Sequence, residues 1–187
     1  MKYVLAALLF LSVSSIAQLA PSPLNSQATN GAFFLNIDDS ARIFVNGVEA
    51  HYNKKAGKYQ SKEVALKPGD HIVVQLKNDL GTRYFMMAFL STDKKTVVSF
   101  NRTAFKPLPV TVVSFDRPAS EPIPTNLAKD FTDEDFAKIS KYAKADTSRK
   151  RDTSIPFKHT SEYIWGESDE CALACVLTSQ MFMPAHP

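Results

Sequence analysis

The amino-acid sequence predicts an all-β fold, an antiparallel jelly-roll or β-sandwich with one short helix in a long connection before the final strand. Three observations lead to this prediction. Short segments of alternating apolar and polar residues fill residues 31–116 and recur about every 10 to 14 residues. Turn-forming pairs separate these segments, and no long helical period interrupts them. Such spacing is typical of antiparallel sandwiches and excludes a doubly wound α/β fold.

The clearest hairpin lies at Asn46-Gly47, between the segments RIFV and VEAH. Asn and Gly tolerate the two positive φ angles of a type I′ turn, so this pair predicts a two-residue hairpin. A type II turn is predicted at residues 67–70, with the sequence KPGD. Proline fixes φ at the second position of such a turn, and glycine supplies the positive φ at the third.

The other strands are predicted from apolar segments between turns. After the KPGD turn, Ile72, Val74 and Leu76 point to one face, which predicts a strand with one buried side. The same reasoning places strands at residues 33–37, 83–90, 96–100 and 110–115. A closing strand that pairs back into the sandwich is predicted within SEYIWGESDECALACVLTSQMF.

A short helix is predicted in DFTDEDFAKISKYAK, after a connection that contains several prolines. Thr132 is a good N-cap, and the acidic residues that follow it favour the first turn of a helix. Phe131 and Phe136 occupy the two positions of a hydrophobic staple. The helix therefore belongs to the long connection before the final strand.

The N-terminus has the pattern of a secretory signal peptide. Lys2 supplies a positive start, residues 4–13 are apolar, and small residues follow. Cleavage after Ala17 fits best, and cleavage after Ala20 is the alternative. The apolar run is shorter than the roughly 20 residues of a membrane-spanning helix, and no later segment predicts a span. The predicted organisation is a signal peptide at 1–17, a flexible leader at 18–30 and one β-sandwich domain at 31–187.

Composition limits the classes of partner. The chain has 187 residues and a formal net charge of +3, with basic residues that are mostly scattered. No strong attraction to nucleic acid is expected from such a small net charge. One basic cluster, Arg149-Lys150-Arg151, has three interpretations: a solvated loop, a processing site, or a contact for an acidic polysaccharide.

The two cysteines, Cys171 and Cys175, lie in the segment ECALAC. Export permits a disulfide, and a local bridge between them is predicted. In an extended strand their Cα atoms would lie roughly 13 Å apart, beyond the bridging limit of about 7 Å, so the bridge requires a turn or helical bend at residues 172–174. Crosslinking between chains is the alternative. A zinc site is not expected, because no second Cys or His pair stands at ligand spacing.

Candidate ligand-binding residues are few. Asp38, Asp39 and Asp70 stand near predicted strand ends and could bind calcium through oxygen ligands; alternatively, they are turn residues that bond to the backbone. Trp165 and the segment 83–85 could stack on a sugar ring or pack in the core. The histidines stand apart, and no Gly-x-Ser-x-Gly or His-Glu-x-x-His motif occurs, so no catalytic residue, metal or cofactor is predicted.

One sequon is present after the predicted signal peptide. Asn101-Arg102-Thr103 follows the apolar segment TVVSF, at a predicted strand end. In a eukaryotic secretory route it predicts an N-linked glycan on Asn101, provided that the sequon lies on a surface loop.

Four features occur in a characteristic order. The first is a strand that begins at two aspartates and leads into an Asn-Gly turn, and the second is a Val-x-Leu-x-Pro-Gly turn that enters an alternating strand. An acidic Phe-x-Asp segment is the third, and an Ile-Trp pair before the closing strand is the fourth. In chain order their residues are Asp38, Asp39, Ile43, Phe44, Val45, Asn46 and Gly47; Val64, Leu66, Pro68 and Gly69; Phe131, Thr132 and Asp133; and Ile164 and Trp165. This order resembles galactose-binding-domain-like jelly-roll modules of extracellular proteins, over roughly residues 31–183. The resemblance implies a jelly-roll fold more strongly than an activity. Such modules often carry further tryptophans, whereas Trp165 is the only one here.

Together these features predict a secreted, extracellular, non-enzymatic binding module. Its expected ligand is a glycan or an extracellular protein, recognised through loops at one end of the sandwich. The alternative is a structural component of a secreted extracellular matrix, of shell, cuticle or capsule type, in which a glycosylated or crosslinked fold serves as a building block.

Overall fold

The predicted hairpin and turn form as their residue types require. The computed structural model of the protein describes residues 27–79, 81–108, 133–145 and 155–185. Asn46 and Gly47 have φ angles of 48° and 79°, the two positive values of a type I′ turn. Gly69 has a φ of 91°, and the Asp70 amide donates to the Lys67 carbonyl at 3.2 Å, which closes the KPGD turn.

Strands account for 51% of the structure, which confirms the all-β prediction. They are numbered here in chain order: β1 (Thr29–Ile37), β2 (Ser40–Val45), β3 (Val48–Asn53), β4 (Gly57–Gln60), β5 (Val64–Leu66), β6 (His71–Lys77), β7 (Phe85–Ser91), β8 (Thr96–Ser99), β9 (Lys106–Leu108), β10 (Lys144–Ala145), β11 (Ile164–Trp165), β12 (Glu170–Val176) and β13 (Phe182–Pro184).

These strands form two antiparallel sheets packed together as a sandwich. In the first sheet, β1 lies between β7 on one side and β4 and β5 on the other. β7 also pairs with β11 at its start and with β8 towards its end, and β10 and β13 extend the sheet from these two strands. The second sheet has the order β3-β2-β6-β12-β9. The predicted closing strand is thus β12, which pairs with β6 and β9.

The core between the sheets contains the apolar face that alternation predicted. Ile72, Val74 and Leu76 of β6 are fully buried there. Across from them, Phe33 of β1 packs edge-on against Phe89, with ring centroids 5.8 Å apart. Burying each large apolar side chain of this kind stabilises the fold by about 1.5–3 kcal/mol.

The outer faces of both sheets are also buried in part. Gln75 alternates with the apolar residues of β6, a pattern that is typical of a surface residue, yet its exposed fraction is 0%. Phe44, Val73 and neighbouring alanines form a second cluster on that face, against which Ile139 packs. On the first sheet, the segment after residue 155 covers the outer face, where the Asn36 side-chain amide donates to the Tyr163 hydroxyl at 2.9 Å.

The predicted short helix is present as α1 (Asp133–Lys138). An ion pair between Glu134 and Lys138, 2.9 Å apart, links its first and last turns. The sequence did not indicate the short strands β4, β9 and β10, or the irregularity in β2 between Ile43 and Phe44. Among the described residues, no helix is long and apolar enough to cross a membrane.

One predicted boundary changes. β1 begins at Thr29, so the leader predicted at 18–30 gives way to the sandwich two residues earlier than expected. The reason is pairing: Thr29 and Asn30 lie opposite Leu66 and Ala65 of β5, and this pairing does not depend on the polarity of their side chains. The predicted signal peptide and the predicted strand at 110–115 lie outside the described residues.

Candidate functional site

The turn between β7 and β8, residues 91–96, is held in shape by the side chain of Ser91. The Ser91 hydroxyl donates to Asp93 Oδ1 at 2.6 Å and accepts from the backbone amides of Lys95 and Thr96 at 3.1 and 2.9 Å. The Lys95 amide also donates to Asp93 Oδ1 at 3.0 Å. Lys94 adopts a φ of 59° to complete the bend. The turn is therefore a fixed platform on which the exposed side chains of residues 92–95 project.

The carboxylate of Asp93 is kept in its charged form by the same contacts. The Ser91 hydroxyl is the largest cause that lowers its pKa, followed by the Lys95 backbone amide. Both donate to Asp93 Oδ1, so Oδ2 remains available to accept from a ligand. Hydrogen bonds to a carboxylate favour its ionised form.

A cleft of about 550 Å³ opens on one side of the 91–96 turn, at the end of the sandwich. We call it the end cleft. Its walls come from four parts of the chain that are distant in sequence: residues 27–30 at the start of β1, Pro68 of the KPGD turn, the 91–96 turn, and strand β13. Asn30, Asp93 and Lys95 supply polar groups, and Phe182 and Met183 supply apolar surface.

A second depression of about 310 Å³ lies on the other side of the turn, on the outer face of the first sheet. We call it the face cleft. Its floor is apolar, because Ala32 and Leu90 lie opposite each other on β1 and β7, with Phe34 two residues along β1. The exposed side chains of Gln60 and Lys94 line it as well.

Gly31 allows the strands beneath the face cleft to approach closely. A Cβ atom at this position would lie 2.2 Å from the Leu90 carbonyl oxygen and 2.5 Å from the Phe89 ring. Any larger residue would therefore push β1 away from β7 at the base of the cleft. The glycine is a packing requirement of the site.

The two clefts adjoin, since Ser91 and Thr92 line both of them. We refer to the pair as the turn site. The Thr92 hydroxyl donates to Glu63 Oε1 at 3.3 Å and so connects the turn to the segment before β5. Neither Lys94 nor Lys95 forms an ion pair with another described residue. Their ammonium groups can donate to a ligand.

The side chains of the turn site can bind a ligand through hydrogen bonds. Carboxylates accept hydrogen bonds, ammonium groups donate them, and the amides of Asn30 and Gln60 do both. The lining residues include neither histidine nor cysteine, the usual partners of an activated nucleophile. Within the described ranges, no group of three or more His, Cys, Asp or Glu side chains is arranged to hold a metal ion.

The three aspartates predicted as ligand residues do not form one site. Asp38 and Asp39 lie between β1 and β2, whereas Asp70 contacts Asn46 at the far end of β2. The six residues of β2 separate the two places by about 20 Å. A single calcium ion cannot bridge that distance.

Asp39 and Asp70 instead have roles in turns. Asp39 has a φ of 60°, and its Oδ2 accepts from the Asp79 amide at 2.7 Å. Asp70 is buried, with one carboxylate oxygen accepting from the Lys67 amide at 2.8 Å and the other from the Asn46 side chain at 2.9 Å. The turn-residue interpretation accounts for both.

The aromatic candidates for sugar stacking are core or supporting residues. Trp165 is 5% exposed, belongs to the main core, and donates from Nε1 to the Ser168 carbonyl at 2.9 Å. Phe85 is fully buried. Tyr84 packs at a right angle to Tyr163, with centroids 5.5 Å apart, and Arg83 pairs with Asp169 at 2.7 Å. The interpretation of Trp165 as a sugar-stacking residue is therefore wrong, because the ring is enclosed in the core.

The predicted local disulfide is also wrong. Both cysteines are free and buried within β12, which runs without a bend through residues 172–174. Both side chains enter the main core, since residues four apart on a strand share a face. Burial raises the pKa of the Cys171 thiol to about 11 and that of Cys175 to about 12, so both stay protonated and poorly reactive at neutral pH.

The sequon lies in an ordered turn after β8. Asn101 Oδ1 accepts from the amides of Thr103 and Ala104 at 3.0 and 3.1 Å and from the Thr103 hydroxyl at 2.6 Å. Arg102 and Thr103 are exposed and Asn101 is half-buried, which fits the surface position that glycosylation needs. An attached glycan stays a prediction. The basic cluster at residues 149–151 lies outside the described residues.

Sequence reasoning missed the turn site. The segment STDKKT at residues 91–96 is a polar run between two apolar strands, and this signal indicates a turn but not a cleft. Compared with family models, curated proteins and solved structures, the chain matches none of them.

Proposed function

We propose that this protein is an exported, non-enzymatic binding module that recognises a glycan at the turn site. The observation that supports it is the pairing of an apolar floor with polar side chains that have few partners. In the face cleft, Phe34 and Leu90 form the floor, and Gln60 and Lys94 stand beside it. Ligand sites in proteins commonly combine a concave apolar surface with a few well-placed polar groups.

A sugar suits this combination. Its hydroxyl groups both donate and accept hydrogen bonds, which matches a lining of amides, carboxylates and ammonium groups. Its C–H faces are apolar and match the floor of the face cleft. The clefts have volumes of about 550 and 310 Å³, within the range of about 300–1,000 Å³ that is usual for sites of small ligands. Concave sites of this size favour a chain-like ligand over an extracellular protein.

The rigid turn also supports binding. Ser91 is buried and its hydroxyl contacts three other residues of the turn, so the side chains around it need little ordering when a ligand binds. Preorganised groups lose less conformational entropy on association and bind more tightly. Export from the cell and the jelly-roll resemblance are part of the same proposal, and they rest on the N-terminal pattern and on the order of turn motifs.

The burial of both thiols argues against the alternative function, a crosslinked matrix component. Intermolecular bridges would require Cys171 or Cys175 to reach the surface, yet both lie in the core on β12. A building-block role without disulfides remains compatible with the fold, but no described feature favours it. The turn site is better explained by binding.

A glycan array tests the proposal. The chain without its predicted signal peptide, which we call the mature chain, is labelled and applied to the array once with calcium and once with a chelator. The variant Gly31→Ala is tested beside it, because the new methyl group displaces β1 below the face cleft. We expect specific, saturable binding to particular glycans, equal with and without calcium, because no described carboxylate cluster can hold the ion. The variant Lys62→Gln, at an exposed residue outside both clefts, is the control. Absence of any glycan signal would refute the proposal.

A further inference from the structure

The clefts of the turn site are large enough for more than one sugar unit. A single sugar ring has about twelve non-hydrogen atoms and is smaller than the ligands that pockets of about 300–1,000 Å³ usually enclose. The end cleft alone measures about 550 Å³ and the face cleft about 310 Å³. Because Ser91 and Thr92 line both, a ligand can pass from one cleft to the other over the turn.

The charges of the turn site are balanced. Glu63 and Lys94 line the face cleft, and Asp93 and Lys95 line the end cleft, so each cleft carries one carboxylate and one ammonium group. An acidic polysaccharide would gain no net attraction, because repulsion by the carboxylate of each cleft offsets attraction by its ammonium group. An uncharged chain meets donors and acceptors in both clefts without that repulsion.

The turn places its charged side chains one after another along the path that a saccharide chain would follow. Lys94 and Lys95 are neighbours, yet Lys94 lines only the face cleft and Lys95 only the end cleft. Thr92 lies between the clefts and is fixed by its hydrogen bond to Glu63. A chain that crosses Thr92 therefore contacts both lysines at once.

We propose, on the basis of the proposed function, that the ligand is an uncharged oligosaccharide chain that spans the 91–96 turn and occupies both clefts. Its recognition depends on hydrogen bonds to Lys94 in one cleft and to Lys95 in the other. Monosaccharides fill one cleft and bind weakly. Glu63 and Asp93 offset the attraction of anionic polysaccharides to the two lysines.

The test uses matched variants of adjacent residues. The mature chain, Lys94→Gln, Lys95→Gln and the control Lys62→Gln are titrated calorimetrically with neutral oligomers of N-acetylglucosamine, glucose, galactose and mannose, from the monosaccharide to the hexasaccharide. For the series that binds, we expect affinity to rise about tenfold or more with chain length. Each cleft variant should weaken the long chain about fivefold, because each loses one hydrogen bond, and the control should match wild type.

Anionic probes complete the test. Heparin and alginate are titrated at low and high salt into wild type and both cleft variants, and we expect no binding that depends on Lys94 or Lys95. Affinity that is independent of chain length, or that responds to only one of the two cleft variants, would overturn the two-cleft inference and leave glycan binding standing. Salt-sensitive binding of heparin or alginate that exceeds the neutral series and is weakened in Lys94→Gln or Lys95→Gln would overturn the uncharged-ligand inference. If no saccharide binds at all, the proposed function itself fails.

Discussion

Replacing Asp70 should destabilise the protein more than any surface aspartate, because its buried carboxylate joins two turns. Oδ2 accepts from the Lys67 amide at 2.8 Å and Oδ1 accepts from the Asn46 side chain at 2.9 Å. Asn46 in turn accepts from the His71 amide at 2.9 Å. The carboxylate thus ties the β2–β3 hairpin to the turn that precedes β6.

The size of the effect follows from these contacts. A hydrogen bond to a charged group contributes about 1.5–3 kcal/mol, and Asp70 accepts two. Asn46 and Lys67 are exposed, so water can replace part of the lost bonding. We therefore expect Asp70→Ala to lower the free energy of unfolding by about 2–4 kcal/mol, and Asp70→Asn, which keeps one acceptor oxygen, by about 1–2 kcal/mol.

Urea denaturation followed by circular dichroism measures both variants. Asp79→Asn is the matched control, because Asp79 lies at the surface and its ion pair with Lys77, at 3.1 Å, is mostly solvated. Its loss should cost less than about 0.5 kcal/mol. An Asp70→Ala protein as stable as wild type, or an equal cost for Asp79→Asn, would contradict the role assigned to the buried carboxylate.

Other properties of the fold are open to direct measurement. Gly47→Val should cost about 2 kcal/mol or more in urea denaturation, because a β-branched residue is strained at a φ of 79°; unchanged stability would count against the type I′ hairpin. Cys171 and Cys175 should react with Ellman's reagent only after unfolding in guanidinium. If neither cysteine reacts in the unfolded chain, the two form a disulfide. The Asp93 pKa, followed by NMR, should lie below its ordinary value and rise in Ser91→Ala. Because the Asp93 pKa is lower in the folded protein than in the unfolded chain, the charged carboxylate stabilises the fold at pH values above the pKa of the unfolded chain. This stability is lost as the pH falls through the pKa of the folded protein. An unchanged Asp93 pKa in Ser91→Ala would refute the hydrogen-bond assignment.

Local chemistry made part of this fold predictable. Asn46-Gly47 and the KPGD segment specify their turns through the φ angles of individual residues, and these angles are the ones observed. The alternation of Ile72, Val74 and Leu76 identified the inner face of β6 for the same reason, since side chains on a strand point alternately to its two faces.

Features that depend on distant residues were not predictable. Gln75 has the alternation of a surface residue, yet the outer face of its sheet is covered and the side chain is buried. The disulfide prediction failed because it required a turn or helical bend at residues 172–174, whereas Cys171, Leu173 and Cys175 alternate inward along a continuous strand.

The turn site shows the same limit. The polar run at residues 91–96 indicated a turn, but the end cleft forms only because β13 and the start of β1 reach the same place. Thr92 donates from its amide to the Asn30 carbonyl at 2.8 Å, and the Ala185 amide donates to the Lys95 carbonyl at 2.7 Å. These contacts join residues that no local pattern connects.

The location of ligand binding tests the central claim most directly. Amide shifts of the isotopically labelled mature chain are recorded by NMR during titration with the neutral oligosaccharide that binds most tightly. We predict that the largest changes fall on Asn30 and on residues 91–96, at the end of β7. Changes concentrated instead around Arg83 and Asp169, at the opposite end of β7, would contradict the assignment of the turn site.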